Sequence, residues 1–490
     1  MHEITDLLPG RSEICFLIKN AFSTAFCDTI IRDHKHDFQP ANLNYPTSYR
    51  NNERQIKDDL AFSTLLFEAV KQYVPSVIVV NGMSEPEQGI WNLKGLNKRI
   101  RICRYTEGQY FSKHLDGVYY QTRWIQSKLT FMVYLNGGKK EFEGGRTLFF
   151  GSKVDTEILG YHELSKGDLI LFDHNLWHSG EEVRKGEKFI LRSDILYQKR
   201  EEAYYESTEP FKEGHLGYIW KILGHDAGYF TAGRDKLIKV WDKNGKKLSE
   251  LRGHQNSILD LALLSSDVLV SCSRDNSIRL WHKEEDGVFK ESHRLVFHES
   301  VVLGVLPLSD RLFVSCGADG RLNLIDVNGK LIESVAAHKE WIWSIEVINE
   351  EVIASVGEDG QLKIWRVSPF VQVSEVQMKY PLTTVSYDKE HSILYIGDNN
   401  GTISGFEMKE NFGVHKKFEQ RCHSGKIWTI KCDKQRLVSG GEDNKVIVWE
   451  KKRMRKILAY QHKNFVQDLI LEQDRIISVS YDGEIREWKW

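Results

Sequence analysis

Along residues 1–204 the spacing of apolar positions changes once. The first part reads as helical. After a short strand at Ile14–Leu17, Ser23 or Thr24 can cap a helix on which Ala25, Ile30 and Ile31 form an apolar stripe. A second helix is predicted over about Asp58–Tyr73, with Leu60, Leu65, Leu66, Phe67, Val70 and Val74 roughly on one side. Between them Y-P-T-S-Y-R-N-N-E-R (45–54) is polar and turn-rich, and reads as a loop. From Arg99 onward the pattern is that of strands: I-R-I-C-R-Y (100–105) and L-T-F-M-V-Y-L (129–135) alternate, and G-D-L-I-L-F (167–172) and F-I-L-R-S-D-I-L-Y (189–197) complete the set. Helices followed by at least six strands predict a double-stranded β-helix, or jelly-roll, with the helices packed on one sheet.

Beyond E-E-A-Y-Y-E-S-T-E-P (201–210) the pattern becomes a repeat. D-x-x-[IVL]-x-x-W recurs as Asp235…Trp241, Asp275…Trp281, Asp359…Trp365, Asp443…Trp449 and Asp482…Trp488, with degenerate copies at Asp319…Ile325 and Asn400…Phe406. Successive final positions lie 40, 44, 40, 41, 43 and 39 residues apart. In six copies a His (His215, His254, His298, His338, His423, His462) precedes the Asp by 20 or 21 residues. The expected organisation is therefore two domains, 1–204 and 205–490, in a mainly β protein.

Composition narrows the classes. With 67 basic and 69 acidic residues in 490, no net field draws in nucleic acid or a membrane surface. No apolar run approaches the roughly 20 residues a membrane-spanning helix needs. M-H-E-I-T-D-L-L-P-G lacks the apolar core of a signal peptide. Seven cysteines without a C-x-x-C pair argue against both a disulfide framework and a cysteine zinc site, so a reducing, cytoplasmic location is expected. Asn400-Gly401-Thr402 reads as a hairpin turn rather than a glycan acceptor.

The chemistry sits in R-Y-T-E-G-Q-Y-F-S-K-H-L-D-G (104–117) and W-H-S-G (177–180). His114 and Asp116, two apart on an extended strand, point to one face, and His178 can close a triangle with them. Two imidazoles and one carboxylate with open positions form the facial triad of non-haem Fe(II) oxygenases. His174 is a rival third ligand. With N-A-F-S (20–23), T-F-M-V-Y-L-N (130–136), E-G-G-R-T-L-F-F (143–150) and the segment 177–197, this region resembles the prolyl 4-hydroxylase-like 2-oxoglutarate/Fe(II) oxygenases over about residues 12–200.

That resemblance implies that His114, Asp116 and His178 hold Fe(II), with Asp116 arguing for hydroxylation over halogenation. It also implies a basic residue about ten past the distal His to pair with the far carboxylate of 2-oxoglutarate. Lys188 stands there, and Arg192, four further along the same strand, is the alternative. Tyr105 and Tyr134 match tyrosines lining the co-substrate pocket, and loop 45–54, with Arg50, Asn51, Asn52 and Arg54, matches the substrate-covering loop. Gly144-Gly145 is expected to make a tight turn.

The repeat resembles the WD-repeat family, and seven copies imply a seven-bladed β-propeller in which the His, Asp and Trp are structural. Because Trp488 comes so late, a segment near Ala203–Phe211 is expected to supply the last blade's outer strand and close the ring. Trp220, Trp343 and Trp428, each five residues after a repeat His, would gather on the narrower face as anchors for a protein or peptide substrate. The basic run Lys451–Lys456 is expected to be a solvated hairpin turn. Taken together, the sequence predicts a dioxygenase using Fe(II), 2-oxoglutarate and O₂, with ascorbate as reductant. It would hydroxylate a protein side chain, most plausibly prolyl, brought by the propeller. The alternatives are a small-molecule hydroxylase with a scaffolding propeller, and a non-catalytic interaction scaffold.

Overall fold

The computed structural model describes residues 3–489 except 12, 35, 42–45, 47–48, 81–88, 123, 139, 164, 201–210 and 212–213. The chain divides into two compact units, Met1–Tyr204 and Tyr205–Trp490.

In the first unit two helices cover one side of a large sheet. Helix Thr24–Asp33 starts where the Ser23 side chain accepts the Phe26 N–H, and it buries Cys27 and Ile30. Helix Leu60–Val70 is capped by Asp59, which accepts the Phe62 N–H at 2.9 Å. It buries Ser63, Leu66 and Val70. Leu60 and Leu65 are exposed, correcting the expected stripe. At 3.6 residues per turn they lie about 100–120° around the helix from Leu66. The expected loop 45–54 also runs partly into a strand, Glu53–Asp58, paired with Arg99–Tyr105.

The large sheet runs, in order, Ile4–Asp6, Cys15–Ile18, Leu169–Asp173, Ile125–Tyr134, Lys188–Lys199, Arg99–Tyr105, Glu53–Asp58, Gln39–Pro40. Alternation in its central strands divides their side chains between two cores. Leu129, Phe131, Val133, Leu169, Leu171, Phe189 and Leu191 face the helices. Met132, Tyr134, Ile170, Phe172 and Ile190 face a second, four-stranded sheet and pack with its Phe111 and Phe149. That smaller sheet is ordered Gly160–Tyr161, Thr147–Phe150, Trp177–Gly180, Phe111–His114. The two layers form the jelly-roll, and the residues between them line its interior.

Among its described residues the second unit holds six four-stranded sheets and one three-stranded sheet in chain order. The innermost strand of the first, Ile219–His225, packs beside that of the last, Val466–Leu471, where the Ile222 N–H donates to Asp468 at 3.3 Å. The ring is thereby closed, as a seven-bladed propeller. Within blades, Trp241 donates to Thr231 Oγ1, which meets His215 Nε2, while His215 Nδ1 meets Asp235 at 2.8 Å. His254–Asp275, His298–Asp319, His338–Asp359 and His423–Asp443 repeat the pair at 2.8–3.0 Å. The seventh blade departs from this: His462 Nε2 meets Ser478, but His462 Nδ1 and Asp482 Oδ2 are buried without partners.

The proposed outer strand near Ala203–Phe211 lies outside the described residues except for Phe211. That residue packs with Tyr229 and Trp241 of the first blade and Ile477 and Val479 of the last. The basic run is not wholly solvated. Lys451 is buried, paired with Asp388 at 2.5 Å and donating to the Asp433 carbonyl at 2.6 Å, and Met454 is buried beside it.

Candidate metal and co-substrate site

His114 ends the strand Phe111–His114, and His178 lies directly opposite on Trp177–Gly180. This cross-strand pairing brings the two imidazoles within 4.2 Å, centroid to centroid. Asp116 follows two residues on, its N–H donating to the His174 carbonyl. One carboxylate oxygen of Asp116 lies 3.6 Å from His114 Nε2 and the other 3.7 Å from His178 Nε2. One ligand atom from each of the three residues falls within 4.8 Å of the others, and all three residues are buried.

The ring tautomers are set from behind. His114 Nδ1 meets the Ser112 carbonyl at 2.7 Å and His178 Nδ1 meets the Leu176 carbonyl at 2.9 Å. Each Nδ1 must therefore carry the proton, leaving the Nε2 lone pair pointed inward. His114 Nε2 has no partner of its own. Burial holds both imidazoles below their ordinary range, hence neutral, as metal ligation requires. Burial alone would raise Asp116, but the Arg192 guanidinium and the surrounding imidazoles hold it well below the usual carboxylate range. The donor set fits a divalent metal. His174 is different: both its ring nitrogens are unpartnered, and the nearest carboxylate, Asp194, is 4.0 Å away.

On the strand Lys188–Lys199, Lys188, Ile190, Arg192 and Asp194 share the interior face. Lys188 is buried, donates to the Gly145 carbonyl at 2.6 Å, and stands over the rings of Tyr105 and Tyr134 at 5.2 and 5.5 Å. Burial pulls it down to about 8. Gly145 has φ +69°, and a Cβ there would lie 3.2 Å from the Lys188 stem, so the expected tight turn also makes room for the lysine. The Tyr134 hydroxyl donates to Thr147 at 2.7 Å. Arg192 instead contacts Asp116, four residues along the strand from Lys188.

A model of the 2OG-Fe(II) oxygenase superfamily matches residues 100–193, which include His114, Asp116, His178, Lys188 and Arg192, and a model of the WD domain, G-beta repeat matches 245–282, 329–366 and 415–450. The chain carries a 2OG-Fe(II) oxygenase domain and WD repeats. Three curated proteins each match more than half of this chain. Telomerase protein component 1 of Rattus norvegicus is 24% identical over 276 residues, 53% of this chain and 10% of that protein. Nuclear distribution protein PAC1 of Arthroderma benhamiae is 22% identical over 318 residues, 60% of this chain and 64% of that protein. WD repeat-containing protein 1 of Gallus gallus is 22% identical over 311 residues, covering 58% and 49%. The chain thus spans from a tenth to under two thirds of the length of these relatives.

In the WD unit the three tryptophans do come together. Trp428 lies 6.5 Å from Trp220 and 5.8 Å from Trp343, edge to face in both cases. Lys426 sits 3.8 Å over Trp428 and 3.9 Å over Trp343. Tyr218 and Tyr481, which no repeat signature marks, extend the cluster beside Trp220. In the oxygenase domain, sequence reasoning missed Thr130, whose hydroxyl contacts Asp116, and Phe111, which stacks on His114 at 3.6 Å. Strand parity was the available signal for Thr130, since it shares the face of Met132 and Tyr134. Of the segment 45–54, Arg50 and Asn52 are buried and bonded to each other at 2.8 Å, with Arg50 over the Phe111 ring.

Proposed function

We propose that this protein is an Fe(II)- and 2-oxoglutarate-dependent dioxygenase that hydroxylates a protein side chain, most plausibly prolyl, recruited by the WD propeller. The carrying observation is the convergence of His114, Asp116 and His178 in the jelly-roll interior that also holds Lys188, a buried cation whose hydrogen bond goes to the Gly145 carbonyl. Fe(II) held by the triad supplies, with 2-oxoglutarate and O₂, oxidative decarboxylation coupled to hydroxylation of a C–H bond. The two Nδ1–H···O=C bonds fix the imidazoles for this task. Lys188 is the anchor for the far carboxylate of 2-oxoglutarate, with Tyr105 and Tyr134 as walls. Charge balance favours it over Arg192, which already faces Asp116 and Asp194. Met132, Phe149 and Phe172 keep the interior dry.

The Trp220–Trp428–Trp343 cluster is the proposed anchor for the substrate protein, tryptophan being the residue type that dominates binding hot spots. Ascorbate is the proposed reductant. All seven cysteines are free thiols, which supports a reducing, cytoplasmic setting.

The test is succinate formation from 2-oxoglutarate by purified protein with Fe(II), ascorbate and O₂, with and without cell extract. Wild type and His174→Ala should turn over, and His178→Ala should not. Stimulation by a protein fraction of the extract supports protein hydroxylation, whereas stimulation by a small-molecule fraction favours a metabolite substrate. No turnover together with no metal-dependent binding of 2-oxoglutarate would leave an interaction scaffold.

A further inference from the structure

One half-buried charge in the oxygenase domain has no part in that scheme. Arg192 lies inside the jelly-roll with its Nη2 on Asp116 Oδ1, while the Thr130 hydroxyl donates to Asp116 Oδ2. The two oxygens of this carboxylate therefore have unlike partners, a charged guanidinium on Oδ1 and a neutral hydroxyl on Oδ2. Arg192 also feels Asp194, whose Oδ2 takes Arg101 at 3.1 Å and Asn97 at 3.3 Å. Two guanidinium groups, Arg101 and Arg192, thus meet two carboxylates, Asp116 and Asp194, and the group is neutral.

Such a neutral group has no charge left for an incoming dianion. The strand geometry agrees. At about 3.3 Å per residue, Lys188 stands roughly 13 Å along the strand from Arg192, one at the far end of the pocket and the other at the metal end. An aspartate beside two imidazoles can give a metal one oxygen or two. The planar fork of an arginine is the side chain best suited to keep one oxygen occupied.

We propose that Arg192 is a positioning residue that retains Asp116 Oδ1, so that the carboxylate offers the metal a single oxygen and coordination positions stay open for co-substrate and O₂. This rests on the reading of His114, Asp116 and His178 as the metal site. It assigns to Arg192 a role toward the metal, distinct from the anchoring of 2-oxoglutarate.

The experiment uses the full chain and Co(II), a redox-stable stand-in for Fe(II), followed by its visible d–d absorption with and without 2-oxoglutarate. Variants are Arg192→Met, Arg192→Lys and Lys188→Met. In Arg192→Met, Asp116 is free to close on the metal through both oxygens. The higher coordination number should weaken the Co(II) bands before any 2-oxoglutarate is added, and 2-oxoglutarate affinity should fall less than about tenfold. Arg192→Lys, which keeps one donor and the charge, should restore much of the wild-type spectrum. Lys188→Met should leave the Co(II) spectrum unchanged and weaken 2-oxoglutarate by about thirtyfold or more.

A wild-type Co(II) spectrum in Arg192→Met overturns the proposal. So does a loss of 2-oxoglutarate affinity in Arg192→Met as large as in Lys188→Met, and then Arg192 is an anchor while the metal site stands. If Arg192→Met does not fold, a spectrum for Arg192→Lys identical to wild type but with 2-oxoglutarate binding abolished overturns it equally. Absence of Co(II) binding by the wild type removes the metal site itself, a failure of a different kind.

Discussion

Lys188 shows how a single side chain ties burial to ligand binding. Burial penalises its charged form and brings it down to about 8. A lysine depressed in this way costs folding stability wherever it is protonated, and that cost is relieved as pH rises from about 8 toward the ordinary lysine range. Binding has the opposite sign, because a dianionic co-substrate needs the ammonium. We expect 2-oxoglutarate affinity in the Co(II)-loaded protein to be flat below pH about 8 and to fall above it, by at most about tenfold per unit. Lys188→Arg should remove that fall. A calorimetric titration series across pH 6.5–9.5 checks it, and a flat profile in the wild type would exclude Lys188 as the anchor. His178 and His174 make the complementary point. Both were candidates by position, and what separates them is a carbonyl: Leu176 fixes His178 Nδ1, whereas His174 has no partner at either ring nitrogen.

Among the elements, the seventh blade has the His and Asp of its neighbours but not the bond between them. His254 joins Asp275 to Ser271, and Trp281 completes the chain. His462 reaches Ser478 but not Asp482. Burial and then Glu484 raise Asp482 to about 6, whereas Asp275, also opposed by burial, is held low by His254. His254→Ala, which strands a buried carboxylate and opens a cavity, should destabilise the protein by about 3 kcal/mol. His462→Ala should cost at least about 1 kcal/mol less, since Asp482 has no bond from it to lose. Urea unfolding of both variants decides, and equal losses would mean that the seventh blade's pair forms in solution. The repeat signature places a His and an Asp in the right strands.

At the scale of the molecule, two units with separate cores share one chain, and the proposed division of labour is open to a direct test. Trp343→Ala combined with Trp428→Ala removes two half-buried rings from the WD unit. It should abolish stimulation of turnover by the protein substrate while leaving 2-oxoglutarate affinity within about threefold, because truncating interface hot spots typically costs about 2 kcal/mol or more each. Unchanged stimulation would separate the cluster from recruitment. The sequence by itself determined the architecture: period-two alternation and the forty-residue repeat each follow from backbone geometry, and His114 and His178 were legible as residues of two strands, whereas Asp116, expected on the strand with His114, lies two residues past its end. It also placed Trp220, Trp343 and Trp428 at equivalent points of three blades. Lys188 and Arg192, equivalent by strand parity, were told apart only by the tertiary structure, which set one beside tyrosines and the other against two carboxylates. So too with Leu60 and Leu65, left outside, and Lys451, drawn in by Asp388. The physical reason is common to all: local pattern fixes the direction of a side chain, but the charge or surface it meets comes from residues distant in the chain.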